Sequence, residues 1–105
     1  PGAVAVAALG IQMSDPVRTV LAHSPEMMVV RFAFAAGDRG ALHSHPHVQS
    51  TYVRSGRYRF TMEGREFEIG PGDAFVIPSG AEHGCLCLKA GELIDSFTPR
   101  RDDFL

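Results

Sequence analysis

The stretch Gly37-Asp38-Arg39-Gly40-Ala41-Leu42-His43-Ser44-His45-Pro46-His47-Val48-Gln49 holds three of the chain's five histidines. On an extended backbone, residues i and i+2 project to the same side. His43 and His45 can therefore bring two imidazoles to one metal ion inside a barrel wall. Gln49 lies four residues after His45, an even offset that keeps it on the same face if the strand continues past Pro46. His83, far down the chain after Pro78-Ser79-Gly80, is the third candidate. Three neutral histidines and an amide oxygen would form a distorted octahedral site with two positions open to water or substrate. A lone His-x-His is a weak sign, because a single histidine is more often a surface or hydrogen-bonding residue. His47 is set aside: Pro46 disturbs the strand, and three adjacent ligands would crowd one ion. His23 has no partner in the sequence and reads as a surface residue.

Working outward, glycine and proline frame these histidines. Gly37 stands six residues before His43, and Gly56 stands seven after Gln49, giving G-x5-H-x-H-x3-Q-x6-G. Downstream, Gly72, Pro78, Gly80 and His83 give G-x5-P-x-G-x2-H. With Ser24-Pro25, Glu63-Gly64 and Ala90-Gly91, these positions place turn signals roughly every 7–15 residues, the rhythm of an all-β sandwich or barrel. Residues 17–23 alternate, with Val17, Thr19 and Leu21 on one side. Residues 27–35 are apolar on both faces, which predicts a strand covered on both sides. Residues 57–63 alternate cleanly and return through a tight turn at Glu63-Gly64 to residues 65–69. Residues 74–77 read as a short buried strand, followed by strands at 85–88 and 93–98. Residues 99–105 read as a surface tail or a helical turn.

Composition narrows the function classes. A length of 105 residues predicts one domain over 1–105. Eleven glycines and seven prolines disfavour a helical bundle, since each costs helix stability. An apolar fraction of 45% supports an ordinary core. A net charge of −2 excludes a general electrostatic footprint for nucleic acid. Of ten basic residues only Lys89 is a lysine, and arginine suits fixed, bidentate recognition of carboxylates. No apolar run approaches the roughly 18 residues of a membrane span. Residues 1–9 are apolar but lack the basic start of a signal peptide. Cys85 and Cys87 are too close for a usual structural disulfide, which suits a reducing cytoplasm. They share parity with His83, so both thiols should face the interior. They serve there either as small apolar fillers or as a metal-binding or redox pair.

The two spaced patterns, in this order and with a hairpin between them, resemble the signature motifs of the cupin family across most of the chain. The resemblance implies a small antiparallel β-barrel, or double-sheet jelly roll, with a metal inside. Two positions depart from the family pattern. Gln49 stands where the first motif usually has glutamate, and Cys87 where the second usually has asparagine. Glutamine removes one negative charge from the ligand set, which favours an anionic substrate and weakens the case for iron dioxygen chemistry.

Asp95 is unusual in the apolar run Leu93-Ile94-Asp95-Ser96-Phe97. If its face points inward, burial raises its pKa and makes it a usable acid or base. If not, it is an edge-strand carboxylate facing solvent or pairing with an arginine. The stretch Asp95-x-Phe97-x3-Arg101, with Asp102-Asp103-Phe104-Leu105 after it, resembles the C-terminal segment of KdgF-type pectin-degradation cupins. So does His43-Ser44-His45-Pro46-His47 with Gln49, although Val48 stands where a glutamate is often found. This resemblance implies one divalent transition-metal ion (nickel, iron, manganese, zinc, cobalt or copper) on His43, His45, Gln49 and His83. It implies functional roles for Asp95, Phe97 and Arg101. The implied reaction converts 4,5-unsaturated uronates, the products of polysaccharide lyases, into their linear keto form. The expected partner is a small anionic sugar acid, with no nucleic acid and no membrane. A homodimer is also implied, with residues 3–11 and 27–35 available for its interface. Three other readings stay open: a cupin dioxygenase, an isomerase or lyase of another small sugar acid, and a non-catalytic small-molecule-binding module.

Overall fold

Gln49, Thr51 and Val53 are buried while Val48, Ser50 and Tyr52 between them are exposed, the mark of a strand with one face on a core. The computed structural model, which describes residues 14–105, contains nine strands. They are β1 (Val17–Ser24), β2 (Met27–Phe34), β3 (Arg39–His43), β4 (Val48–Val53), β5 (Arg57–Met62), β6 (Arg65–Ile69), β7 (Ala74–Ile77), β8 (His83–Lys89) and β9 (Gly91–Thr98). A 3-10 turn follows at Asp102–Phe104, so the expected helical turn in the tail is present.

Two antiparallel sheets result, one ordered β1-β2-β9-β4-β7 and the other β3-β8-β5-β6. Their inward faces share one core. Phe34, Val53, Ile77 and Leu93 come from the first sheet, and Tyr58, Phe60, Ile69 and Cys87 from the second. Each large apolar side chain buried this way contributes about 1.5–3 kcal/mol. Tyr58 keeps its hydroxyl satisfied by donating to the Ser55 carbonyl at 3.0 Å. A smaller cluster of Met28, Val30 and Phe97 lies at the other end of β2 and β9. Gln49, Thr51, His83 and Asp95 are buried polar side chains in the same interior.

Four expectations change. Residues 43–49 are not one strand: β3 ends at His43, β4 begins at Val48, and the two strands lie in different sheets. Pro46 lacks the amide proton that a ladder needs, and the chain crosses from sheet to sheet there. In β1, Val17 is exposed and Val20 packs inward opposite Val30, and the alternation breaks at Leu21, which is exposed where the β1–β2 register shifts between Val20 and Ala22. The strand β7 is an edge with Ala74 and Val76 turned outward, rather than a buried run. Finally, β2 is covered along both edges by β1 and β9, so it is not an open edge for a second subunit. Residues 3–11 lie outside the described residues.

Two turns show what the glycines do. Glu63 (φ 48°) and Gly64 (φ 78°) both occupy the left-handed region, the requirement of the two-residue turn that joins β5 to β6. Gly56 (φ 89°) is also pressed against the chain at 89–91, where a Cβ would lie 2.5 Å from the Lys89 carbonyl oxygen. A Cβ on Gly64 would meet nothing within 4 Å. Gly64→Ala should therefore cost about 1 kcal/mol of backbone strain. Gly56→Ala adds a backbone clash and should cost roughly 2–4 kcal/mol. Urea unfolding of the two variants checks the ranking, and equal losses would show that contact at Gly56 is unimportant.

Candidate metal centre

His43 and His83 face each other as paired residues of β3 and β8. His45 reaches the same point from the crossing loop. One ring nitrogen from each lies within 4.8 Å of the other two. Metal–nitrogen bonds of about 2.1 Å place donors roughly 3–4 Å apart, so the cluster is of the right size.

The tautomers follow from the backbone. The Nδ1 of His43 lies 2.6 Å from the Ala41 carbonyl oxygen, that of His45 3.0 Å from His47 O, and that of His83 2.9 Å from Ala81 O. A carbonyl oxygen can only accept, so each Nδ1 carries the proton and each Nε2 keeps its lone pair. His47 thus serves through its carbonyl rather than its ring. Gln49 donates its amide to Thr51 Oγ1 at 3.1 Å and turns Oε1 toward His45 Nε2, 2.9 Å away. With His45 in that tautomer, two acceptors meet with no proton between them. A cation satisfies this arrangement, so the donor set fits a metal ion. Burial lowers the pKa of His45 and takes that of His83 down to about 4, which keeps both rings neutral at pH 7.

Gln49, His43 and His83 also line a cavity of about 190 Å³, as do Asp95, Phe97 and Arg101. The structure thus brings every sequence-derived candidate to one place, with His45 behind His83 and Phe97. Asp95 sits on β9, a central strand, opposite Val30 of β2 and Thr51 of β4. It faces the interior, which removes the edge-strand alternative. One of its oxygens, Oδ1, is buried without a hydrogen-bond partner among the described residues. Burial pushes its pKa up to about 7, against the opposing pull of hydrogen bonds with Thr51 and Gln49. Phe97 pairs with Gln49 across β9 and β4 and packs edge-on against His45.

Two contributors escape sequence reasoning. Thr51 orients the Gln49 amide, and its only signal is a position two residues further along the same face. Phe104 lines the cavity from the terminal turn, where a charge-rich segment gave no hint of an inward ring. Cys85 and Cys87 are free, and burial raises both pKa values, that of Cys85 up to about 11. Both are thiols at neutral pH. Cys87 donates to the Lys89 carbonyl at 3.2 Å and fills core, as an apolar filler would. His23 is exposed, as expected, and receives a hydrogen bond from Arg100. Among the described residues no helix is long and apolar enough to cross a membrane.

The raised pKa of Asp95 has a signed consequence for stability. Its carboxyl titrates near 3.8 when unfolded and near 7 when folded, so the folded state binds the proton more tightly. Its favourable contribution is full below pH 4 and is lost as pH rises through 7, a swing of up to about 4 kcal/mol. In metal-free protein, Asp95→Asn should therefore melt higher than the parent at pH 8, with the gap closing toward pH 4. A pH-independent difference would show that Asp95 titrates normally.

Comparison with known proteins agrees with this geometry. Residues 30–94 match the family described as "Cupin domain". The chain is 37% identical over 90 residues to the "Pectin degradation protein KdgF" of Dickeya dadantii, covering 84% of this chain and 82% of the relative. The structure of KdgF from Halomonas sp. is similar, with a TM-score of 0.81, 41% identity, and coverage of 84% of this chain and 82% of that one. An RmlC-like cupin from Shewanella frigidimarina has a TM-score of 0.82 and 33% identity, covering 92% and 91% of the two chains. With both spaced motifs present on an antiparallel two-sheet jelly roll, this chain belongs to the cupin family and resembles its KdgF members.

Proposed function

We propose that this protein converts a 4,5-unsaturated uronate into its linear keto form, in a cavity completed by one divalent transition-metal ion on His43, His45, His83 and Gln49. The observation that carries this reading is a buried, unpartnered carboxylate oxygen on Asp95, in a cavity shared with Arg101 and the candidate ligands. The likeness to a pectin degradation protein supplies the substrate class, since pectin is a polymer of uronates.

Bound there, the ion supplies Lewis acidity toward substrate oxygens. The chain's own residues do the rest. Arg101 pairs with the uronate carboxylate through two parallel hydrogen bonds. Phe97 packs on the sugar ring. Asp95 takes the proton of the anomeric hydroxyl through Oδ1 as the bond from the anomeric carbon to the ring oxygen breaks. An aldehyde and an enolate result. Asp95 then delivers that proton to carbon four, and the enolate becomes a ketone. One proton is taken and one is returned, so the net change is an isomerisation without water or oxidant. A pKa near 7 suits a group that must serve as base and then acid near neutrality. The same proposal includes a homodimer. Val48, Tyr52 and Val76 expose apolar surface on neighbouring strands β4 and β7. Sedimentation as an 11.4 kDa species at every concentration would remove that part.

Asp95→Asn is the decisive variant. It should lower the decay of the substrate's ultraviolet absorbance, above the spontaneous rate, by about a hundredfold or more. Metal content by elemental analysis should stay at the parent level. A variant that keeps the parent rate would end the acid–base assignment.

A further inference from the structure

We infer that Asp103 and Phe104 are positioning residues for Arg101, fixing its guanidinium so that one donor edge stays available to the substrate carboxylate. The inference rests on the uronate reading above and deepens it. A guanidinium has two edges able to hold a carboxylate bidentately, one of Nε with an Nη and one of the two Nη atoms. Asp103 takes the first: Arg101 donates from Nε to Oδ1 at 3.0 Å and from Nη2 to Oδ2 at 2.8 Å. Among the described residues Nη1 donates no hydrogen bond. The Arg101 side chain is 11% exposed and lines the cavity, while that of Asp103 is 60% exposed. The carboxylate thus approaches from the solvent side and leaves the cavity side to a ligand.

Two aromatic rings also pack against the guanidinium. Its central carbon lies 4.1 Å from the centre of the Phe104 ring and 5.2 Å from that of Phe97. Phe104 is itself wedged against Phe97 at 5.7 Å and Phe32 at 6.1 Å, with Arg18 4.1 Å away. The turn is tied down by a parallel pairing one residue earlier. Arg100 donates to Asp102 at 2.7 Å, and its Nη1 lies 3.3 Å from His23 Nδ1 on β1. With Asp103 largely in solvent, its pair with Arg101 adds little to stability. The doubled Asp103 bond therefore matters for where it points Arg101, through saving the entropy of ordering that side chain when substrate arrives.

Asp103→Asn keeps the shape and removes the charge. Its KM for unsaturated uronate should rise about tenfold while kcat changes less than twofold, with melting temperature and metal content at parent values. In an Arg101→Ala background the same change should add nothing. An unchanged KM would overturn the proposal. So would a lower KM, which would mark Asp103 as a competitor for the substrate's edge. A readout independent of turnover is the Arg101 Nε–H resonance by NMR. It should be resolved and slow to exchange in the parent, and lost to solvent exchange in Asp103→Asn. An unchanged resonance would also overturn the proposal. If the parent does not act on unsaturated uronate, the functional reading fails alone, and the resonance still decides the role of Asp103.

Discussion

Three imidazoles can aim lone pairs at one point only if their protons are held elsewhere. Here the backbone holds them. Carbonyl oxygens of Ala41, His47 and Ala81, each two residues from its histidine, accept from Nδ1 and leave Nε2 bare. Burial adds to this by disfavouring the charged ring at His45 and His83. The site is therefore preorganised by main-chain geometry before any ion arrives. That geometry needs strand β3 to stop at His43, a loop to carry His45 between the sheets, and β8 to begin at His83. The rest of the fold exists around those three breaks.

The interior that results is divided. One apolar cluster lies toward Tyr58 and Ile77, another around Met28 and Val30, and the cavity, largely apolar in its lining, holds Gln49, Asp95 and Arg101. A buried carboxyl group opposes folding at neutral pH, and for Asp95, on a central strand, hydrogen bonds with Thr51 and Gln49 offset only part of that cost. The surrounding apolar packing must offset it. A side chain that stability alone would replace is the one on which the proposed chemistry turns.

Much of this was legible in the sequence, for reasons that differ by element. Period-two alternation at residues 57–62 and 65–69 gave strands β5 and β6 almost to the residue, because one face is wet and the other dry. The spacing of glycine, proline and histidine picks out residues that the fold brings together, although not by sharing a strand face. His43, His45 and Gln49 do not share a strand face; they converge because the chain changes sheets at Pro46. Parity along a strand cannot report a crossing between sheets, since that depends on partners distant in sequence. The orientation of Asp95 was undecidable for the same reason: whether β9 is central or an edge depends on β2 and β4. The bulge at Leu21 follows from pairing with β2, and nothing in Val17–Ser24 by itself signals it.

Charge explains why an anion suits this cavity. Among the described residues that line it, Arg101 is the one permanent cation and Asp95 the one carboxylic acid. Gln49 stands where a glutamate would add a second carboxylate, and both buried histidines are neutral at pH 7. Burial pushes Asp95 toward its protonated form, so it opposes the Arg101 charge less than an exposed carboxylate would. Asp103 balances Arg101 from outside the cavity, so the compensating carboxylate does not occupy the space that a substrate needs. The pair Arg-Arg-Asp-Asp at residues 100–103 looks like a solvated tail in sequence. In the fold it separates into an outward pair that fastens the turn and a second pair that aims one guanidinium at the cavity.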